Sequence, residues 1–396
     1  MSIMPIAPLA RLGVAWLTMF MVGTELFIFS PLLPMLAADY QISATKAGFS
    51  VTVFSLTYMV SAPLFGHLSD RVGRRRMLIC SLLAFAAANS LTALAVNLPS
   101  LLAVRLFAGV AAAGVSPSIY ALVGDAAPAD RRATWLALVV SGLLTSIALG
   151  ASTGAVVGAI LGWSPAFLVL AFLSLVLAFL NRQIWPSERD APPVVEVTAV
   201  HPIAAGGLLR RLIPTVIWSM GLYGVYTYLG VGLVATGFSA GRTAQAILVY
   251  GCGALAGVVI GGRVADRLGV KLTAGVSFIG FSACLMLLRL AFDTGRLIEP
   301  ALGVSSAVAQ LFFPAQQAGL ANDFPRRRGT ALAWNNGALF FGISLGSLVG
   351  GGTIALGNFD TILMVSAGIA LIGCLVNAVV VPGPASLLVS CAKDPD

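Results

Sequence analysis

The sequence contains few charged residues. Asp, Glu, Lys and Arg together make up 10% of its 396 residues, whereas about a quarter of the residues of an average soluble domain are charged. Hydrophobic residues account for 58%, and the mean hydropathy is +0.96. This composition excludes an ordinary soluble protein and predicts an integral membrane protein.

Histidine and cysteine are also scarce. His67 and His201 lie in polar segments, and no two of the five cysteines have the spacing of metal ligands. The H-E-x-x-H and G-x-S-x-G motifs are absent from the sequence. An enzyme inside the membrane would need a nucleophile, a base or a metal group of this kind. We therefore expect no catalysis, no metal and no cofactor, and interpret the cysteines as small apolar side chains.

Long apolar segments make up most of the sequence. A helix needs about 20 apolar residues to cross the hydrocarbon core, and charged and Pro/Gly clusters divide the chain into twelve segments of roughly that length. We place them at 12–36, 47–66, 77–97, 99–123, 134–158, 164–182, 212–236, 243–262, 271–292, 299–320, 329–353 and 361–381.

The positions of Lys and Arg predict the orientation, because these residues concentrate in cytoplasmic loops. With the N-terminus in the cytoplasm, only Lys46, Arg242, Arg289 and Arg296 fall outside. The basic residues on the cytoplasmic side are Arg11, Arg71, Arg74, Arg75, Arg76, Arg131, Arg132, Arg182, Arg189, Arg210, Arg211, Arg263, Arg267, Lys271, Arg326, Arg327, Arg328 and Lys393. Topology thus explains the net charge of +8. We expect a multi-pass protein of the inner cell membrane with both termini cytoplasmic, and no nucleic-acid partner.

An internal repeat divides the chain into two halves. One spacing of 196 residues relates several positions in three separate segments. The related pairs are Gly66 and Gly262, Asp70 and Asp266, Arg71 and Arg267, Gly73 and Gly269, Thr134 and Thr330, Gly150 and Gly346, and Gly154 and Gly350. We predict an N-terminal half at 1–182, a polar linker at 183–211, a C-terminal half at 212–381 and a cytoplasmic tail at 382–396. Parallel repeats of this kind are one of the designs of secondary transporters.

The loop from Gly66 to Arg75 reads G-H-L-S-D-R-V-G-R-R. It resembles the G-x-L-x-D-R-x-G-R-R loop of the major facilitator superfamily at every defined position, and 262–271 contains a degenerate second copy. The resemblance covers the whole chain. It implies an all-α integral membrane fold of twelve transmembrane helices, arranged as two pseudo-symmetric six-helix bundles.

Within that superfamily the chain is similar to the twelve-span drug and sugar efflux group of proton antiporters. The residues that carry this similarity are Thr24-Glu25-Leu26-Phe27 with Pro31 and Pro34, Arg105 with Gly109, Asp125 and Pro128 before Arg131 and Arg132, and Trp334-Asn335-Asn336. One departure concerns the G-x-P-x-G segment of span 5 in these antiporters. Ser152 stands here in place of the proline, which weakens the prediction of export and leaves the fold unaffected.

Glu25 is the one acidic residue near the middle of an apolar segment. An ionised carboxylate in hydrocarbon is costly, so it normally faces a cavity or a partner, and we interpret Glu25 as a proton carrier. Arg105 is the one basic residue inside a segment, at a depth that permits pairing with Glu25, and the family resemblance implies that it takes part in proton coupling. The alternatives are a permanently hydrogen-bonded glutamate and an arginine that reaches the lipid interface or backbone carbonyls.

The repeated loop motif is interpreted as a cytoplasmic gate formed by Gly66, Asp70, Arg71, Gly73, Arg74, Asp266 and Arg267. Asp70 can accept hydrogen bonds at the start of a neighbouring helix, while the arginines can reach carboxylates or lipid phosphates. The resemblance implies that this latch holds the halves together against the start of span 11, near Arg328. Alternatively, the arginines only anchor the topology.

Glycines recur every four residues in three segments, which places a smooth groove on one face of each helix. From the resemblance we expect these faces to meet between the halves and to slide there. The glycines that we assign to this interface are Gly150, Gly154, Gly253, Gly257, Gly346 and Gly350.

The resemblance also implies a substrate cavity lined by spans 1, 4, 7 and 10. The candidate residues are Tyr223, Tyr226, Gln310, Phe313, Gln317 and Asn335, with Trp218, Phe312 and Asn336 near them. Aromatic faces and amides suit a moderately apolar ligand with a few polar groups, or a sugar stacked on a ring. Packing inside the bundle is the alternative role of each aromatic residue.

These observations predict a monomeric, proton-driven exporter of small organic molecules, either drug-like or sugar-like, that works in the lipid bilayer by alternating access. An uptake symporter or an uncoupled facilitator of the same fold is the nearest alternative. A channel would need a ring of charges or carbonyls that one Glu25 does not supply. A sensor that binds ligand without moving it is a further alternative.

Overall fold

The computed structural model describes residues 6–128, 131–186 and 205–381, without the side chains of residues 6, 7, 70, 133, 205, 206 and 326. Its elements in these ranges are helices. Span 1 comprises Ile6–Phe27 and Phe29–Asp39, and span 5 comprises Arg132–Thr145, the π-helical turn Ser146–Gly150 and Ala151–Leu161. The other spans of the N-terminal half are span 2 (Ala44–Val72), span 3 (Arg74–Ala93), span 4 (Leu98–Ala126) and span 6 (Trp163–Ile184).

The C-terminal half repeats this order. Span 10 comprises Ile298–Gln310 and Phe312–Asp323, and a short 3₁₀ turn, Pro325–Arg327, precedes span 11. The other elements are span 7 (Ala205–Ala235), span 8 (Ala240–Leu268), span 9 (Val270–Thr294), span 11 (Arg328–Leu356) and span 12 (Phe359–Val380).

Each predicted segment corresponds to one span. Eleven of the described helical segments are long and apolar enough to cross a membrane, and the division of span 10 at Leu311 accounts for the twelfth. The largest displacement of an edge is at span 7, which begins at Ala205 rather than at 212. Its first turns therefore occupy part of the predicted linker. Residues 187–204 of that linker and the predicted tail at 382–396 lie outside the described residues.

Local sequence signals fix several helix ends. Asn97 and Asn358 each form a capping box with the residue three positions later, at the starts of spans 4 and 12. Gly73 and Gly269, one of the repeated pairs, end spans 2 and 8 with φ of 102° and 81°. Residues with a side chain rarely adopt this conformation, so the repeat preserves a backbone requirement at the same point in each half.

The two halves pack their helices in the same pattern. Spans 1 and 5, 2 and 4, and 3 and 6 pack together in the N-terminal half, and spans 7 and 11, 8 and 10, and 9 and 12 do so in the C-terminal half. The most extensive contacts between the halves are those of spans 2 and 11, spans 5 and 8, and spans 1 and 7. The predicted pair of pseudo-symmetric six-helix bundles is therefore confirmed.

Spans 1 and 10 are each interrupted once, at Ile28 and Leu311. A proline follows each interruption three residues later, as Pro31 and Pro314. Proline has no backbone N–H, so the carbonyl four residues earlier, which is that of Phe27 in span 1, loses its helical donor. The hydroxyl of Tyr226 in span 7 donates to that carbonyl at 3.1 Å.

The hydrogen bonds between the halves cluster at one end of the bundle. We name the end that carries Arg71, Arg182 and Arg267 the basic end, and the end that carries Lys46 and Leu356 the opposite end. In addition to the Tyr226–Phe27 bond, cross-half bonds among the described residues run from Thr45 to the Gly351 carbonyl at 2.8 Å, from Ser347 to the Gly48 carbonyl at 2.9 Å, from Ser344 to the Thr52 carbonyl at 3.3 Å and from Ser30 to the Tyr226 carbonyl at 2.5 Å. The halves are thus joined near the opposite end.

Candidate functional site

The structure brings Glu25 and Arg105 together. Glu25 lies in the last turn before the interruption at Ile28, and Arg105 projects from span 4. An Nη of Arg105 donates to Oε1 of Glu25, and both side chains are completely buried. An ionised pair at this depth is stable only while both partners remain charged and in contact.

Two aromatic rings enclose the arginine. Its guanidinium carbon lies 4.1 Å from the ring centre of Phe29 and 4.3 Å from that of Phe54, and ring faces stabilise a cation that has lost water. Its Nε donates to the Ser50 carbonyl at 3.4 Å. Oε2 of Glu25 and the second Nη of Arg105 have no hydrogen-bond partner among the described residues. The carboxylate thus keeps one buried oxygen available to a proton.

Gly109, one turn beyond Arg105, lets span 4 approach span 2. A Cβ at this position would lie 2.6 Å from the carbonyl oxygen of Phe54. Only glycine therefore permits this helix separation, which holds the guanidinium between the rings of spans 1 and 2.

A first cavity lies between the halves, beside the buried pair. The Tyr58 hydroxyl interacts with the side chains of Ser116 and Asn336, and the Tyr58 ring stacks on Phe340 of span 11 with ring centres 3.8 Å apart. The lining residues are Met19, Val22, Leu26, Phe54, Tyr58, Ser116, Tyr120, Leu143, Asn336 and Phe340.

A second small cavity lies nearer the opposite end. Phe27 stacks on Tyr223 and meets Tyr226 edge-on across the halves, with ring centres 6.0 and 5.6 Å apart. The lining residues are Leu26, Phe27, Ser30, Val51, Tyr223, Tyr226, Thr227 and Ile343. Leu26, the neighbour of Glu25, lines both cavities.

The predicted substrate residues divide into two groups. Tyr223 and Tyr226 line the second cavity, whereas Gln310, Phe313, Gln317 and Asn335 line neither of these two cavities. Phe313 stacks on Trp218, with ring centres 5.9 Å apart. The amide oxygen of Asn335 accepts a hydrogen bond from Thr215 at 2.6 Å.

Tyr58, Ser116 and Tyr120 are cavity residues that the sequence prediction missed. Tyr58 lies on span 2, which the prediction did not include among the spans that line the cavity. Ser116 and Tyr120 lie on span 4, which the prediction included but from which it named no cavity residue. A tyrosine within an apolar segment was the available signal, because its hydroxyl needs a partner or a cavity when buried.

The predicted gate motif is only partly described. The side chain of Asp70 lies outside the described residues, and Arg71, Asp266 and Arg267 are exposed at the ends of spans 2 and 8. Arg74 forms a salt bridge with Asp125 at the end of span 4, and Arg75 donates to the carbonyl of Arg182. Both contacts lie within the N-terminal half. A latch between this motif and the start of span 11 stays a prediction.

The assignment of six glycines to the interface between the halves is wrong. A Cβ on Gly150 or Gly154 would meet Thr24 or Ile28 of span 1, and a Cβ on Gly253 or Gly257 would meet the Gly303 or Ala307 backbone of span 10. Gly346 and Gly350 likewise face span 7. Four-residue spacing predicts a smooth helix face, but the direction of that face depends on how the helix is rotated within its bundle.

Gly251 makes the close contact between spans 8 and 5. A Cβ on it would lie 2.2 Å from the Cα of Ala148, inside the π-helical turn Ser146–Gly150. Ser152, in place of the antiporter proline, donates back to the carbonyl of Ala148. Span 5 is therefore irregular here despite lacking the proline, and its irregular turn packs on the other half.

Comparisons with known proteins agree with this architecture. The family description "Major Facilitator Superfamily" matches residues 15–291 and 215–390. The chain is 29% identical over 365 residues to a chloramphenicol resistance protein of Streptomyces lividans, covering 88% of this chain and 89% of that one. It is 27% identical over 364 residues to the 3-(3-hydroxy-phenyl)propionate transporter of Escherichia coli K12, covering 88% and 87%.

The fold is shared with a solved transporter. The crystal structure of a D-xylose-proton symporter superposes with a TM-score of 0.80 at 17% identity, covering 94% of this chain and 98% of that one. Because one family description matches both halves of a chain that folds as two six-helix bundles, this multi-pass membrane protein belongs to the Major Facilitator Superfamily of transporters.

Proposed function

We propose that this chain is a proton-coupled exporter of small organic molecules that works by alternating access. The observation that carries the proposal is the completely buried Glu25, which is paired with Arg105 and retains one oxygen without a hydrogen-bond partner among the described residues. The similarity to a chloramphenicol resistance protein supports export of drug-like compounds. The fold shared with a sugar symporter is compatible with sugar-like compounds.

Protonation of Glu25 would change the stability of the site. A neutral Glu25 leaves Arg105 charged and uncompensated between two rings, and loss of one partner of a buried pair costs about 3–5 kcal/mol. That free energy is sufficient to shift a two-state equilibrium by a factor of about 150 to several thousand. Proton binding would therefore favour a state in which Arg105 finds water or another partner.

The site has a short connection to the contact between the halves. Glu25 precedes the interruption of span 1 by three residues, and Phe27 and Ser30 on either side of it bond to Tyr226 of span 7. Movement of Glu25 would act on these bonds through two or three residues of backbone. With the basic end in the cytoplasm, an arrangement whose halves are joined near the opposite end would correspond to the inward-facing state, in which an exporter collects its substrate.

The gate motif, the membrane and the oligomeric state belong to the same proposal. Asp70 and the neighbouring arginines would close the basic end after the opposite end opens. The chain would act as a monomer in the inner membrane, because its own two halves together line both cavities.

Proton movement in proteoliposomes tests the coupling. The vesicles contain a pH-sensitive dye, and substrates are added to wild type and to Glu25→Gln. We expect substrate-dependent proton movement through wild type and none through Glu25→Gln. Glu299→Gln is the matched control, because Glu299 forms a partly exposed ion pair with Arg242 at 2.7 Å, and such pairs contribute about 0–1 kcal/mol. Normal coupling by Glu25→Gln would assign Glu25 a structural role.

An uptake symporter is the second candidate. It is favoured by Ser152, which replaces the antiporter proline. An imposed pH gradient separates the two directions. In vesicles with the native orientation, an antiporter accumulates substrate when the outside is alkaline relative to the acidic lumen, whereas a symporter does so when the outside is acidic. A facilitator responds to neither gradient.

A further inference from the structure

The π-helical turn Ser146–Gly150 interrupts the regular backbone of span 5. The N–H of Ala151, just after the turn, donates to the Ser146 carbonyl five residues earlier, whereas an α-helix joins residues four apart. The turn therefore accommodates one extra residue. Such single π turns are rare in helices and are found frequently at functional sites.

This extra residue keeps both ends of span 5 on the same neighbour. A Cβ on Gly142 would lie 2.4 Å from the carbonyl oxygen of Trp16, and a Cβ on Gly158 would lie 2.3 Å from the Leu32 side chain, so both glycines face span 1. In a continuous α-helix, with a rotation of about 100° per residue, the two glycines would point about 160° apart. The extra residue removes about 100° of this angle. Without the π turn, one end of span 5 would rotate away from span 1.

The π turn contacts both the neighbourhood of Glu25 and the other half. A Cβ on Gly150 would lie 2.1 Å from the hydroxyl oxygen of Thr24, the residue that directly precedes Glu25. A Cβ on Gly251 of span 8 would lie 2.2 Å from the Cα of Ala148. The turn thus lies between span 1 at Thr24 and the C-terminal half, and a change in its shape alters both contacts.

The hydroxyl of Ser152 bonds to carbonyls of the π turn. This buried hydroxyl donates to the Ala148 carbonyl and lies 3.3 Å from the Leu149 carbonyl oxygen. Serine hydroxyls that bond back to the preceding turn compete with regular helical bonding and often bend helices. The net contribution of one hydrogen bond corresponds to about a 2- to 12-fold change in an equilibrium constant, with about fivefold as the central value. Ser152 therefore stabilises the irregular turn.

We infer that Ser152 is a positioning residue, that its hydroxyl maintains the π turn of span 5, and that Glu25 acts on the C-terminal half through this turn. The inference rests on the proposed function, in which Glu25 loses its charge during transport. It specifies a second connection to the other half, besides the bonds that Tyr226 makes. When the turn relaxes to a regular α-helix, Ala148 rotates away from Gly251 and the halves lose this contact.

The oxygen accessibility of single spin labels tests whether Ser152 maintains the turn. The labels are placed one at a time in full-length, cysteine-free protein in nanodiscs, at partly or fully exposed positions on either side of the turn: 136, 137, 138, 140, 141, 153, 156, 157, 159 and 160. Accessibility in each segment repeats every 3.6 residues, and the π turn offsets the two patterns by about 100°. We expect this offset in wild type and in Ser152→Thr, which keeps the hydroxyl, and a smaller offset in Ser152→Ala. One continuous pattern in wild type would overturn the inference.

Distances between spin labels at positions 46 and 356, both exposed at the opposite end, measure whether the halves are joined. Ser152→Ala should shift the population about fivefold toward the separated state, and Ser152→Thr should leave it unchanged. Ser174→Ala is the matched control, because buried Ser174 also donates to a carbonyl four residues earlier, that of Leu170 at 2.7 Å, but within the regular helix of span 6. Equal populations in wild type and Ser152→Ala, or the same shift in Ser152→Thr, would contradict the role of the hydroxyl.

A double-mutant cycle with the same labels tests the route from Glu25. Glu25→Gln should shift the population toward the separated state. This shift should be reduced at least twofold in the Ser152→Ala background and retained in the Ser174→Ala background, because residues that act through one shared element have non-additive effects. Equal shifts in both backgrounds would overturn the route through the turn.

The inference and the proposed function can fail separately. If the cycle is non-additive but Glu25→Gln still couples protons to transport, the proposed coupling fails and the inference stands. If Glu25→Gln abolishes proton movement while Ser152→Ala changes neither the accessibility patterns nor the populations, the proposed function stands and the inference fails. The comparisons of Ser152→Ala with Ser152→Thr need no variant of Glu25, so they decide the role of Ser152 even where Glu25→Gln does not fold.

Discussion

The hydrogen bond between Tyr226 and the Phe27 carbonyl should control how firmly the halves are joined near the opposite end. Pro31 removes the helical donor of this carbonyl, and the Tyr226 hydroxyl replaces it at 3.1 Å. Tyr226→Phe keeps the ring, which packs edge-on to Phe27, and deletes only the donor. The carbonyl is then buried without a partner in the joined state, while water can satisfy it once the halves separate there.

The expected size of the population shift follows from this difference between the joined and the separated state. An unsatisfied buried acceptor costs about 1–3 kcal/mol, which corresponds to about a 5- to 150-fold change in an equilibrium constant. Tyr226→Phe should therefore shift the population by at least about fivefold toward the state that is open at the opposite end. Pro31→Ala restores a backbone N–H that can reach the Phe27 carbonyl. In that background, Tyr226→Phe should shift the population much less.

Distances between spin labels at positions 46 and 356 report the two populations in a cysteine-free background. Both positions are exposed, one in span 2 and one in span 11, at the opposite end. Tyr40→Phe is the control, because the Tyr40 hydroxyl donates to the Ala95 carbonyl at 2.5 Å within the N-terminal half. It should lower thermal stability without changing the populations. A shift below twofold for Tyr226→Phe, or the same shift with and without Pro31, would refute the reasoning.

Three further predictions concern stability and closure. Glu25→Gln alone should lower the free energy of unfolding by about 3–5 kcal/mol, and adding Arg105→Met should restore most of this stability without restoring proton coupling. If the two substitutions instead lower the melting temperature additively in a thermal-shift assay, the two residues do not form a buried pair. A Cβ at position 251 would lie only 2.2 Å from the backbone of span 5, so Gly251→Val should force the halves apart. The distance between labels at positions 46 and 356 should then show the opposite end open, and an unchanged distance would contradict this contact. Gly73→Ala should destabilise by about 1–3 kcal/mol because of its φ of 102°, whereas Gly66→Ala, with no atom near its Cβ, should be neutral; equal melting temperatures would exclude backbone strain at position 73.

The glycines show most clearly where sequence reasoning reached its limit. A repeat every four residues correctly marks a helix face that allows close approach, since each of the six would meet an atom within 3.0 Å if it carried a Cβ. The partner was predicted incorrectly, because rotation of a helix about its axis is decided by all its neighbours at once. Gly251, which does meet the other half, belongs to span 8 but was not among those assigned to the interface.

The substrate residues illustrate a related limit. Tyr223 and Tyr226 were predictable, because aromatic residues on span 7 match the arrangement that the family resemblance implies. Tyr58, Tyr120 and Asn336 form one cavity only after spans 2, 4 and 11 meet, and the first and last of these positions are 278 residues apart in the chain. Nothing in local composition encodes that proximity.

The sequence by itself determined that the protein lies in a lipid bilayer, how many spans it has, that its two halves repeat, and that Glu25 is the one acidic residue near the middle of an apolar segment. These follow from hydropathy, helix length and the high free energy of an isolated charge in hydrocarbon, which are local properties of the chain. Pro31 even predicts that the Phe27 carbonyl lacks a helical donor. Only the tertiary structure decided that Arg105 neutralises Glu25 and that Tyr226 satisfies this carbonyl, because both partners come from distant helices whose rotation and depth are set by packing across the whole bundle.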